Sequence, residues 1–256
     1  SWVDDAHGLV LVPGEEMHNQ GADVPEAPLH VNGIGVTKRV DCAPAQSRSK
    51  AIQNCIDAIL ADGGIAQINH PNWHYAFNHE VMRDTQGALL LEVFNGHPAV
   101  QNEGDEDHIS VERMWDHLLS DGRRVYATAV DDAHHYREFA PQKANPCRGW
   151  VWVRVERLTV DEVLSAIRRG DFYASTGVEL KELEVAPGRI CLTVSEVHGI
   201  SFTTQFIGDN GVVLAESDGP EASFGLPEGA GQTYVRAKVI SSEGKCAWTQ
   251  PGFVRQ

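Results

Sequence analysis

Apolar runs alternate with polar tips along the first two thirds of the chain. Leu9 to Val12 is a short apolar run stopped by Pro13 and Gly14, which predicts a buried strand. Glu15, Glu16 and His18 follow at once, and the polar segment from Asn19 to Pro28 predicts a loop. Leu29 to Val36 alternates, which predicts a second short strand with His30 and Asn32 on its polar face. Ile52, Cys55, Ile56 and Ile59 recur at helical spacing between Ser47 and Asp62, and Gly63-Gly64 ends that helix. Ile65 to Ile68 and Leu89 to Phe94 predict buried strands, closed by Asn69-His70-Pro71 and by Asn95-Gly96-His97. Ser110 caps a helix whose apolar face is Val111, Met114, Trp115, Leu118 and Leu119. The strand from Val125 to Val130 ends in Asp131-Asp132-Ala133-His134. Val151 to Val155 alternates as a strand, and Thr159 with Glu162 forms a capping box for a helix running to Arg169.

After about residue 180 the pattern changes to short alternating runs separated by Gly, Pro, Asp or Asn turns, which predicts a small all-β, sandwich-like domain over 181–256. The strand and helix alternation before it predicts an α/β domain over 1–180, as a parallel sheet or a barrel. In both, function collects at the carboxyl ends of strands. Glu16, His70, Asn95, Asp132 and His134 all fall just past a predicted strand, which argues for one site.

The formal charge of −15 argues against nucleic-acid or anionic-membrane partners, which need a basic face. No run is long and apolar enough to span a membrane. The five cysteines are scattered and odd in number, which predicts free buried thiols in a reducing, cytoplasmic setting. Eleven of the twelve histidines lie at or before His135, so chemistry belongs to the first half. Imidazole and carboxylate ligands suit Zn, Mn or Fe. Paired ions acidify water and stabilise an ester under attack, and no phosphate loop, dinucleotide fingerprint or nucleophile elbow competes with that chemistry. Asp4-Asp5-Ala6-His7 echoes the letters of Asp131 to His134 but precedes a strand, and is taken as coincidence or a helix end.

Gly14-Glu15-Glu16, Leu29-His30-Val31-Asn32, Asn69-His70-Pro71, Leu91 to Asn95 and Asp132-Ala133-His134 together resemble the ordered motifs of the PHP (polymerase and histidinol phosphatase) superfamily. The resemblance implies a distorted (β/α)7-type barrel with a C-terminal β domain. It implies a phosphoesterase, with carbamate or other ester hydrolysis as the alternative on the same site. It implies metal ligands at Glu16, His30, His70, Asp132 and His134, holding two or three divalent ions, with a metal-bound hydroxide as nucleophile and no catalytic side chain. Asn69, Asn95 and His97 are then placed to meet a small phosphate ester or other ester substrate. The family opens with an H-x-H strand, and nothing before Leu9 supplies one. The barrel is therefore expected to lack its N-terminal unit, with residues preceding Ser1. A degenerate, non-catalytic metal- or ligand-binding module is the other expectation.

Overall fold

A computed structural model describes residues 2–4 and 8–254. The echo at Asp5 to His7 lies outside the described residues. In chain order, β1 (Trp2–Asp4) and β2 (Leu9–Leu11) form a two-stranded ribbon, and β3 (Gly14–Gly21) and β4 (Val24–Ile34) form a hairpin. Then come α1 (Arg48–Ala61), β5 (Ile65–Ile68), α2 (His79–Arg83), β6 (Leu90–Asn95), α3 (Val111–Ser120) and β7 (Tyr126–Val130). They are followed by β8 (Trp150–Val153), α4 (Val160–Arg169) and β9 (Phe172–Ser175). The remainder is strand: β10 (Leu180–Ala186), β11 (Arg189–Val194), β12 (Phe202–Gly208), β13 (Val212–Asp218), β14 (Glu221–Gly225), β15 (Tyr234–Ser241), β16 (Cys246–Thr249) and β17 (Gly252–Phe253).

The expected (β/α)7 barrel is not what forms. Strand makes up 38% of the structure and helix 17%, which places it among mostly-β architectures. Among the described strands, β5, β6 and β7 alone pair with one another in parallel. At one edge of that trio β4 pairs antiparallel to β5 and turns back into β3, giving a five-stranded sheet in the order β3-β4-β5-β6-β7. Past β7 the chain leaves the sheet. β8 and β9 pair with each other, and β9 then pairs with β16, so both join a seven-stranded sheet with β12, β13, β15, β16 and β17. The strand–helix rhythm was real, but the hydrogen-bond partners needed to close a barrel lie in the C-terminal strands instead.

Two local expectations are corrected as well. Leu9 and Leu11 are about half exposed, so β2 is a surface ribbon strand and not a buried one. The predicted loop from Asn19 to Pro28 is the heart of the β3–β4 hairpin. Its inward positions on β3 are Met17, Asn19 and Gly21, so the inside-outside alternation is present without an apolar signature. Asn19 satisfies its buried amide on the carbonyls of Ala43 and Ala51, at 3.1 and 2.9 Å.

The helices form where their sequences cap them. Ser47, Ser110 and Thr159 each accept a backbone N–H from the first turn of α1, α3 and α4. Only half of the capping box closes in α4: Glu162 turns its carboxylate to the backbone N–H of Arg157, at 2.8 Å. Gly170 ends α4 at φ 78°, and a Cβ there would meet the Tyr126 ring at 2.7 Å.

The five-stranded sheet has two unlike faces. One carries Leu29, Val31, Ala66, Ile68, Leu91, Val93, Ala127 and Ala129, and packs on α1 and α3. The other carries Ile65, Leu90 and Tyr126 at one end, packed on Leu164, Ile167 and Phe172. At its opposite end the same face turns polar, with Gln67, Glu92 and Thr128. The C-terminal strands form a sandwich: the β10-β11-β14 sheet packs Ile190, Leu192 and Val194 against Phe206, Val235, Val239 and Tyr173.

Cys42 and Cys55 form a disulfide, with Cα atoms 4.8 Å apart, tying the β4–α1 loop to α1. Of the expected free buried thiols, Cys147, Cys191 and Cys246 are free, but Cys147 is exposed and the other two are only partly buried. The widely spaced sequence hid the pair because helix α1 brings residue 55 back under the loop. The cysteine argument for a reducing compartment therefore loses its basis. Among the described residues, no helix is long and apolar enough to cross a membrane.

Candidate metal centre

The polar end of the sheet gathers the chemistry. Glu16 lies within β3 and not past a strand tip as expected, while His30 lies within a strand, β4, as expected. Register explains their meeting: Glu16 stands opposite Asn32 and His18 opposite His30, which leaves Glu16 and His30 on the diagonal of one face. His70 arrives from the carboxyl end of β5, with Asn69 N–H bonded to the His30 carbonyl at 3.2 Å.

His30 Nδ1 lies 3.0 Å and His70 Nε2 3.7 Å from Glu16 Oε1. Asn69 Nδ2 donates to the same oxygen at 3.0 Å. The ligand atoms of Glu16, His30 and His70 all fall within 4.8 Å of one another. This cluster could hold a metal ion. Exposure is graded across it: the Glu16 side chain is 45% exposed, His30 17% and His70 3%. One side of the cluster therefore opens to solvent while the other is fixed in the core. Trp73 closes the wall, its ring 5.1 Å from the rings of both His30 and His70.

The electrostatics favour an anionic Glu16. Its hydrogen bond with His30, then its closeness to His70, hold the carboxyl far below the usual carboxylate range, against the effect of burial. Burial acts to lower the pKa of His70, but the nearby Glu16 carboxylate and the charges of Glu92 and Asp132 raise it overall. His70 Nδ1 is buried with no partner among the described residues. A donor set of two imidazoles and one carboxylate, with an open side, matches three-ligand zinc sites.

Sequence reasoning passed over Glu92. It is fully enclosed and accepts from the His70 backbone N–H at 3.0 Å, from Gln67 at 3.1 Å and from Asn95 at 3.1 Å. Burial pushes its pKa up to about 7. The signal was present: Gln67 and Glu92 are lone polar residues inside otherwise apolar strands, and buried acids need a reason. Thr128 donates to Gln67 Oε1 at 3.0 Å and completes the network.

Asn95, expected to meet substrate, donates to both Glu92 and Asp132 Oδ2, the latter at 3.2 Å, and so links the two carboxylates. Asp132 and His134 sit past the end of β7, and their ligand atoms are not in the triad group. His134 Nδ1 lies 2.8 Å from the Asp132 carbonyl and 3.6 Å from its Oδ1. His97 packs edge-on to His134 with centroids 5.6 Å apart, and its Nδ1 accepts from the Ala99 N–H. The neighbouring Asp131 accepts the backbone N–H groups of Cys147, Arg148 and Gly149 and so ties the end of the following loop to the strand end. His70 at φ 23° and Asp132 at φ 47° both hold left-handed backbone, a conformation that costs on the order of 1–3 kcal/mol and concentrates at functional sites.

No protein-family model matches the chain and no curated protein matches it, so the geometry of these side chains is what any functional statement rests on.

Proposed function

We propose that the protein is a metal-dependent hydrolase acting on phosphate esters. The observation that carries this is the convergence of Glu16, His30 and His70, from three separate strands, on one partly open point. These three residues would hold the ion. A divalent ion so held lowers the pKa of a coordinated water and polarises the ester under attack. Asn69 orients the Glu16 carboxylate through its 3.0 Å hydrogen bond. Glu92 fixes the backbone of His70, and through Asn95 connects it to Asp132. Asp132 and His134, past the end of β7, would supply ligands to a further ion, and His97 beside His134 would meet the substrate.

Metal analysis of the purified protein, with turnover of phosphomonoesters, phosphodiesters and carboxyl or carbamate esters before and after chelation, tests the proposal. Activity that vanishes with EDTA and returns with Zn, Mn or Fe supports it. A protein that takes up no metal and is indifferent to chelators sinks it.

The second reading is a metal-binding module without catalysis. It is favoured by one observation: among the described residues only three ligand atoms converge, enough for a single ion. Metal uptake with no turnover of any ester would select it.

A further inference from the structure

We infer that His18 is the positioning residue for His30, accepting the proton that leaves His30 free to bind a metal through Nδ1. The inference rests on the metal-centre reading above. His18 Nδ1 lies 2.8 Å from His30 Nε2, with the rings edge-on at a centroid distance of 5.0 Å. The two residues stand directly opposite in the β3–β4 ladder, so the contact is set by strand register.

Both nitrogens of His30 are thus committed. Nδ1 faces Glu16 Oε1 at 3.0 Å, and Nε2 faces His18. A neutral imidazole carries one proton. For Nδ1 to offer its lone pair into the cluster, the proton must sit on Nε2, and that N–H needs an acceptor. His18 Nδ1 is that acceptor, when His18 carries its own proton on Nε2. Ligating histidines commonly have their second nitrogen fixed by such a partner, and losing it costs roughly 10–100-fold in affinity. The partner is usually a carboxylate or carbonyl; here it is a third imidazole.

His18 is not itself placed as a ligand. It touches His30 on the ring edge turned away from Glu16. The lone pairs of Nδ1 and Nε2 diverge, so an ion seated at Nδ1 is out of reach of His18.

The test uses Zn2+ alone as probe. Affinity is measured by competition with a chromophoric chelator for the parent, His18→Ala, His18→Asn and His70→Ala. In parallel, the His30 tautomer is read by long-range 1H–15N NMR in the Zn2+-loaded parent, which needs no variant to fold. His18→Ala is expected to weaken Zn2+ binding roughly 10–100-fold. His18→Asn, whose amide oxygen takes the place of Nδ1, is expected to recover most of the loss, and the NMR to show His30 protonated at Nε2. Parent-like affinity in His18→Ala, a His18→Asn variant as weak as His18→Ala, or a His30 proton on Nδ1 would each overturn the inference. Should His70→Ala also bind Zn2+ like the parent, the metal-centre reading itself fails, and the His18 inference falls with it.

Discussion

Asp116 on α3 and Arg236 on β15, 120 residues apart, meet through two 2.7 Å hydrogen bonds, Nε to Oδ1 and Nη2 to Oδ2. Both are buried, and Arg236 is also stacked over Trp115 at 4.8 Å. Removing the carboxylate would leave a guanidinium in the core with, among the described residues, Glu112 alone to answer its charge, at 2.9 Å. Asp116→Ala should therefore destabilise the fold by about 3–5 kcal/mol, the range for breaking a buried pair. Urea denaturation measures it. By contrast, Asp41→Ala breaks the exposed Arg39–Asp41 pair and should leave the midpoint unchanged.

Glu112 makes the same region acid-sensitive. Burial acts to raise its pKa, but Arg236 and Lys238 overcome that and hold it below its ordinary value of 4.5. A depressed folded pKa means stability that is present above 4.5 and lost as pH falls through the folded value. Glu112→Gln should be less stable than the parent near neutrality, and the gap between them should close in acid. Thermal melts from neutral pH downward would show a constant gap if this assignment is wrong.

Metal affinity should fall with pH from the histidine side. His70 holds its proton more tightly than an ordinary histidine of pKa 6.5, and that proton must leave before the ring can ligate. Zn2+ affinity is expected to drop by about tenfold per pH unit for each proton displaced, starting above pH 6.5. Competition titrations across neutral pH check the slope. A flat profile would mean that His70 is not a ligand.

The disulfide gives a chemical count. In denaturant without reductant, three thiols (Cys147, Cys191 and Cys246) should react with an alkylating reagent, and five after reduction. Closing a loop of 13 residues stabilises by about 3 kcal/mol in the chain-entropy picture, so reduction should lower the unfolding midpoint accordingly. Five reactive thiols without reductant would show the pair unformed.

What could be read from the sequence was what is local. The caps at Ser47, Ser110 and Thr159 and the apolar runs of β5, β6 and β7 reveal themselves within a few residues, because each depends on its own neighbours. His30 and His70 were recognisable for the same reason, as a histidine on the polar side of an alternating strand and a histidine before proline. The hairpin was missed because Asn19 and Gly21 take inward positions where the pattern demands apolar residues. The barrel was wrongly expected because the run from Val151 to Val155 reads as one more strand of a repeating unit and the ordered motifs resemble a barrel family; only pairing through β9 to β16 assigns β8 elsewhere. Nothing near residues 150–175 encodes that choice. Glu92 was overlooked because a single carboxylate inside an apolar strand carries no spacing motif; its partners Gln67, Asn95 and the His70 backbone become visible only when three strands lie side by side.

β7 is the last strand of the site-bearing sheet, and its outer edge is finished from afar. The side-chain amide of Gln250 accepts from the Ala127 N–H and donates to the Ala127 carbonyl, both at 2.9 Å. A lone glutamine thus imitates one rung of a missing strand. During synthesis the ribosome has delivered residues 65–130 long before Gln250 and β16 exist. Until they emerge, β7 is an unguarded edge, open to pairing with another nascent chain. Completion of the metal-centre sheet is therefore timed by the C-terminal strands, and an inherited change at Gln250 would express itself as poor yield and aggregation, not as altered chemistry.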